Sequence, residues 1–305
     1  MVMKRWADVC LQGICHESGL GFLYSEVSDS ACVVAARLGY NDFDKDTLLT
    51  LYSAFSTLAL VLNSDGLASV EINCSSNGAI GGYHIRVTHK GEICGYIHNT
   101  GCEINQKQFA GLGDTEIFNY FYGSNSKVDI IRYDDKNNKV DAFTLNNVSP
   151  WPDVILKLCI QKYMRCPVET IVNSNIANNQ NFGHAVVIFN KAGPRANNVF
   201  KRVASKEGVD KIVEILSICP SIHAFRIELD LPDLISGPPL IIQPGCTCSE
   251  KLVAEKYKSV SDIEFMQIGK LVEETKNSKR YRYEFRCNCC GKLYTLERSF
   301  PLEKA

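Results

Sequence analysis

The segment from Cys246 to Ala305 constrains the chain most. Cys246 and Cys248 form C-x-C, and "FRCNCCGKLY" (285–294) adds Cys287, Cys289 and Cys290 after a long intervening stretch. A segment this short cannot rest on a hydrophobic core alone. Two close pairs of thiolates match the tetrahedral, sulfur-rich coordination of Zn²⁺, so the pattern predicts a metal-stapled module over 246–305. Gly291 decides which pair is used. Glycine just after the second cysteine suits a tight knuckle that turns backbone N–H groups toward sulfur, because it accepts positive φ without penalty. The predicted ligands are therefore Cys246, Cys248, Cys287 and Cys290, with one Zn²⁺ per chain, and Cys289 falls outside the set.

The other nine cysteines are scattered singly between Cys10 and Cys219. They read as small buried hydrophobes. Fourteen cysteines without an export signal point to a reducing compartment, and the expected location is cytoplasmic. The start, "MVMKRWADVCLQGICHESG", has a Lys-Arg pair but no apolar h-region, and no apolar run reaches bilayer-spanning length. A net charge of −1 argues against whole-molecule attraction to nucleic acid or to an anionic membrane.

Ahead of the cysteine cluster the patterning alternates between helix and hairpin. Residues 44–62, "DKDTLLTLYSAFSTLALVL", carry apolar residues at 3-4 spacing behind an acidic first turn and predict one buried helix, stopped by "NSDG". "LASVEIN", "YHIRVTH", "EICGYIH", "KVDIIRY" and "KVDAFTL" predict strands joined by hairpin turns. In "SPWPDVILKLCIQKYMRC", Ser149 is the expected N-cap and Pro150 the first helical residue, with Val154, Ile155, Leu158 and Met164 on the apolar face. "VETIVN" and "GHAVVIFN" flank an Asn-rich loop. The result is an α+β fold, with a large N-terminal domain of helices on hairpin-rich sheets over 1–190.

"KAGPRANN" marks a boundary, and residues 191–245 read as a linker. Val199, Phe200, Val203, Val209, Ile212, Val213 and Leu216 give it helical periodicity. "IELDLPDLISGPPLIIQPG" then brings four of the chain's ten prolines, so it must be extended or irregular and lean on other elements. Within 246–305, Ser261 and Glu264 form a capping box, and "KRYRYEFRC" alternates aromatic with charged residues as a strand with one apolar face. Its arginines beside tyrosines could also serve nucleic acid. The 12 Lys/Arg against 9 Asp/Glu in this segment favour a solvated strand face.

The C-x-C at "CTCS", with C-x-x-C-G-x-x-Y through Cys287, Cys290, Gly291 and Tyr294, resembles the redox-regulated heat-shock chaperonin family of about thirty-three kilodaltons. "LLTLYSAFSTLALVLNSDGLASVEIN" resembles that family's helix, turn and first sheet strand. Two departures stand out: a longer interval between the cysteine pairs, placed in the "LVEETKNSKRYRYE" hairpin, and the additional Cys289. The resemblance implies a non-enzymatic, ATP-independent holding chaperone. Reduced and zinc-bound, such a protein is quiet; oxidised, with Cys246 joined to Cys248 and Cys287 to Cys290, it binds unfolded or partly folded client proteins as a homodimer.

Two other classes compete with this reading. A zinc-ribbon module for RNA or a ribosomal partner rests only on the weakly basic tail. A thiol oxidoreductase using Cys287 and Cys290 is disfavoured, because a C-x-C partner makes a closed metal site rather than an open dithiol. The chain has no P-loop, G-x-G-x-x-G, G-x-S-x-G or H-E-x-x-H, and its six histidines all lie well upstream of the cluster, the nearest being His223.

Overall fold

A computed structural model describes residues 8–16, 18–102, 109, 111–175, 182–190, 194–218, 222–246, 248–275, 277–287 and 289–301. The Asn-rich loop lies outside these residues from 176 onward, as does Cys219. The chain divides into two compact units, residues 1–245 and 246–305. The fold is α+β, as the patterning predicts, with three sheets among the described residues.

The larger unit begins with β1 (Val9–Cys15), β2 (Leu20–Val27) and α1 (Asp29–Leu38), followed by α2 (Asp42–Ser56) and α3 (Leu58–Asp65). Next come β3 (Ser69–Ser76), β4 (Gly82–Thr88), β5 (Glu92–Ile97), α4 (Asp114–Tyr122), β6 (Ser126–Tyr133), β7 (Lys139–Val148) and α5 (Pro152–Met164). The strands β8 (Val168–Asn175) and β9 (Phe182–Asn190) complete the region ahead of the expected boundary. One sheet runs β10-β1-β2-β9-β8 with β11 also on β1; the second runs β12-β5-β4-β3-β6-β7. Here β10 is Leu234–Ser236, β11 Leu240–Ile241 and β12 Gln243–Pro244.

The single helix expected over 44–62 is two. Hydroxyl side chains explain the break: Ser53 donates to the Leu49 carbonyl, Ser56 to Ser53 and Thr57 to Ala54. Such back-bonding competes with the backbone ladder and bends a helix. Helix α2 is buried on nearly every side, from Leu48 and Leu49 through Leu51, Tyr52, Ala54 and Phe55. It packs close to β9 because residue 183 is glycine: a Cβ there would stand 2.1 Å from Ser53 Oγ.

Helix α5 also departs from expectation. Its N-cap is Trp151 and its first residue Pro152, not Ser149 and Pro150. The buried Tyr83 hydroxyl donates to the Pro150 carbonyl at 3.2 Å, and Trp151 packs on Phe118, which holds this stretch extended. The buried face then shifts to Ile155, Leu156, Cys159 and Ile160, leaving Val154, Leu158 and Met164 half-buried.

Beyond Asn190 the chain forms α6 (Pro194–Val203), α7 (Lys206–Ile218) and α8 (Ile222–Glu228). Val203, Ile212, Ile215, Leu216, Phe225 and Leu229 join Leu20, Phe22, Tyr24, Val186 and Ile188 in one apolar cluster on the first sheet. Alternation along β9 sends Val186 and Ile188 to these helices and residue 183 to α2, so both faces of that strand are covered. The Pro-rich stretch closes sheet edges. It pairs with β1 through Gly13↔Ser236 and Val9↔Ile241, then with β5 through Gln243↔Glu92. Gly245 N–H ends the strap on the Ile93 carbonyl at 2.7 Å.

The smaller unit contains α9 (Glu250–Lys258), α10 (Asp262–Ile268) and an antiparallel sheet of β13 (Lys270–Glu274), β14 (Ser278–Arg286) and β15 (Leu293–Pro301). Ser261 and Glu264 make the expected capping box. On β14, Tyr281, Tyr283 and Phe285 are half-buried and the intervening Arg280, Arg282 and Glu284 exposed.

Candidate metal centre

Four segments bring the cysteines together. Cys246 directly follows the strap, and Cys248 precedes Ser249, whose side chain caps α9 by accepting from Leu252 N–H. Cys287 lies just past β14, and Cys290 sits in the turn before β15. Gly291, at φ 73°, closes that turn: its N–H donates to the Cys287 carbonyl at 2.8 Å, and Cys287 N–H donates to the Lys292 carbonyl at 2.9 Å. This is the geometry that glycine at the position predicts.

The Sγ atoms of Cys246, Cys248, Cys287 and Cys290 all lie within 4.8 Å of one another. Cys246 and Cys287 sulfurs are 3.7 Å apart, those of Cys248 and Cys290 3.3 Å. Thiolates bound to zinc at about 2.3 Å in a tetrahedron stand roughly 3.8 Å apart, so the four fit the ion with small adjustments. Cys290 and Cys246 are buried, and the other two half-buried. Cys289 sends its backbone N–H toward the group, reaching Cys287 Sγ at 3.4 Å.

The surroundings sort these thiols. Hydrogen bonding from the Cys290 thiol, with the N–H groups of Cys290 and Cys289, lowers the Cys287 pKa to about 4. The same interaction raises Cys290, and burial raises Cys246 to about 11. Elsewhere burial pushes Cys10 and Cys159 up to about 12, and Cys15 and Cys74 to about 11. Of these thiols Cys287 alone is moved toward the nucleophilic thiolate.

Tyr294 has a role that sequence spacing left unassigned: its hydroxyl donates to Cys248 Sγ at 3.0 Å. Its position four residues after Cys290 was the available signal. Its ring stacks on Phe285 at 5.5 Å, and Phe285 meets Tyr257 at 4.9 Å, forming an aromatic wall beside the knuckle. The arginines on the opposite face of β14 are engaged across strands, Arg280 with Glu273 at 2.6 Å and Arg282 with Glu297 at 2.7 Å. That supports the solvated-face reading over a nucleic-acid surface.

The fold and site together define a class: an α+β protein with two sheets and a helical segment in its larger unit, carrying a four-cysteine module at its C-terminal end. Among solved structures, the crystal structure of the 33 kDa chaperonin (heat shock protein 33 homologue) from Thermotoga maritima has this fold. The two match at a TM-score of 0.59 over 95% of each chain, with 14% sequence identity. No protein-family model matches the sequence. No curated protein matches it either. Among the described residues no helix is long and apolar enough to cross a membrane.

Proposed function

We propose that this protein is a redox-regulated, ATP-independent holding chaperone of the heat shock protein 33 type, acting on unfolded client proteins. The observation that carries the reading is the cluster itself: four sulfurs, drawn from positions 246 to 290, within 4.8 Å of one another at the C-terminal end of a chaperonin fold. Cys246, Cys248, Cys287 and Cys290 would hold Zn²⁺, which supplies folding energy to the module and keeps the sulfurs as thiolates.

Peroxide converts Cys246 with Cys248, and Cys287 with Cys290, into disulfides. Each bond consumes one H₂O₂ and two thiols and yields two waters. Four ligands are lost and the module loses its main source of stability. Because Cys246 directly follows Gly245, disorder beginning at the cluster pulls on the strap that clips 234–245 to β1 and β5. Helices α6 to α8 then lose their anchor, and residues 191–245 act as a metastable, redox-coupled linker.

Undocking would expose both halves of the apolar cluster, including Phe22, Val186 and Ile188 on the sheet and Leu216 and Phe225 on the helices. A newly exposed apolar area larger than a few hundred Å² binds other nonpolar segments. The oxidised form acts as a homodimer in the cytoplasm.

The test follows light scattering of a heat-denatured client, with and without prior peroxide treatment of this protein, alongside zinc content and free thiols. The expected result is four thiols lost per zinc released and aggregation suppressed only after oxidation. Zinc release with aggregation unchanged would sink the proposal. A zinc-ribbon RNA-binding module would instead bind best when reduced and weaken steeply with salt.

A further inference from the structure

A cavity of about 450 Å³ opens in the larger unit between α2, α4, the start of α5 and β8. The face of α2 that lines it follows helical spacing: Phe43, Asp46, Thr47 and Thr50. Phe43 packs on Phe121 of α4 with ring centroids 4.1 Å apart, and Phe118 meets Trp151 at 5.2 Å, so two aromatic pairs wall the space. Among the described residues the lining includes two carboxylates, Asp46 and Asp153, and no lysine, arginine or histidine.

Both acids act on the same place. The Tyr122 hydroxyl is pushed up by burial and by the charges of Asp46 and Asp153, with Thr47 and Thr50 bonding to it in opposition. Burial raises Asp153 above the usual carboxylate range. Lys157 offsets this only in part, as the smallest of the influences on Asp153, and is itself paired with Glu169 at 2.9 Å. The cavity thus combines an aromatic surface, hydroxyl groups and negative charge, with no basic residue among the described residues of its lining.

This combination selects one ligand chemistry. Hard metal ions need six or more oxygen ligands, which aromatic walls do not provide. A purely apolar guest would strip water from the carboxylates and offer them no donor in return. An ammonium on a hydrocarbon body meets both demands, through cation–π attraction at the rings and charge-assisted hydrogen bonds at the acids. The volume lies within the range of small-molecule sites. We propose that this cavity binds an organic ammonium ion, whose N–H groups donate to Asp46 and Asp153 while its methylene groups lie against Phe43, Phe118, Phe121 and Trp151.

The test uses intrinsic fluorescence of the full-length, zinc-loaded protein. The chain has two tryptophans, Trp6 and Trp151, so a Trp6→Phe background leaves Trp151 as the reporter. Titration with 1,5-diaminopentane should give a saturable change, and the neutral 1,5-pentanediol should give none. Asp153→Asn and Asp46→Asn, each isosteric and checked for an unchanged thermal midpoint, should weaken binding by about tenfold or more, the usual order for loss of a charge-assisted bond. Nα-acetyl-lysine amide forms a second arm. Binding comparable to the diamine assigns the site to lysine side chains of polypeptides, and binding of the diamine alone assigns it to free amines. Equal binding of the diol, an unchanged affinity in both Asn variants, or no saturable response to either amine would overturn the proposal.

Discussion

Replacing Phe225 tests how the helical segment is held. Phe225 is 1% exposed and sits edge-on to Tyr24 at 5.9 Å, within the apolar cluster that joins α6 to α8 to the first sheet. Phe225→Ala removes a fully buried ring from that contact, and such changes cost about 3–5 kcal/mol because the cavity collapses only partly. If the loss falls on docking, the population with α6 to α8 undocked rises by roughly 10²- to 10³-fold or more. Hydrogen exchange should show lost protection across 194–230 with β3 to β6 still protected. Light scattering should show client holding under reducing conditions, with zinc retained. Leu156→Ala, in a fully buried position on α5, serves as a control that destabilises the same unit away from the helices. Unchanged protection in 194–230, or equal loss across both variants, would refute the reasoning.

Three further outcomes are expected. His184 is buried against Tyr24, with its Nδ1 3.1 Å from the Tyr24 hydroxyl, and burial lowers its pKa from 6.5 to about 4. The unfolded chain therefore binds a proton that the folded one refuses, so stability falls as pH drops through the window from 6.5 to 4, by ~3 kcal/mol over that range. Urea midpoints should show this slope, and His184→Gln should flatten it. Tyr294→Phe removes the donor to Cys248 Sγ and should speed peroxide consumption of thiols severalfold at unchanged zinc content, measured by timed thiol counts. Cys290→Ser should abolish stoichiometric zinc and unfold 248–301, whereas Cys289→Ser should keep both, as metal analysis and hydrogen exchange would show.

Much of the site was legible in the sequence itself. The spacing of Cys246, Cys248, Cys287 and Cys290, with Gly291 after the last, picks out the four residues whose sulfurs the fold brings together, because a knuckle is a local structure encoded within a few residues. The Ser261 capping box and the aromatic alternation on β14 were readable for the same reason. The break at Thr57 and the start of α5 at Pro152 were not. Both depend on partners distant in sequence or on competing hydroxyl bonds, such as the Tyr83 contact with the Pro150 carbonyl, that propensity and pattern leave unweighted.

Local chemistry therefore determined the membership of the four-cysteine cluster, the α+β class and the extended character of the Pro-rich stretch. Tertiary structure alone decided where that stretch is clipped, which face of α6 to α8 is covered, how Tyr294 reaches the distant Cys248, and that Asp46 and Asp153 share one aromatic cavity. Each of these is a contact between segments far apart in the chain. Such contacts are selected by the burial of whole surfaces, and no short window of sequence carries that information.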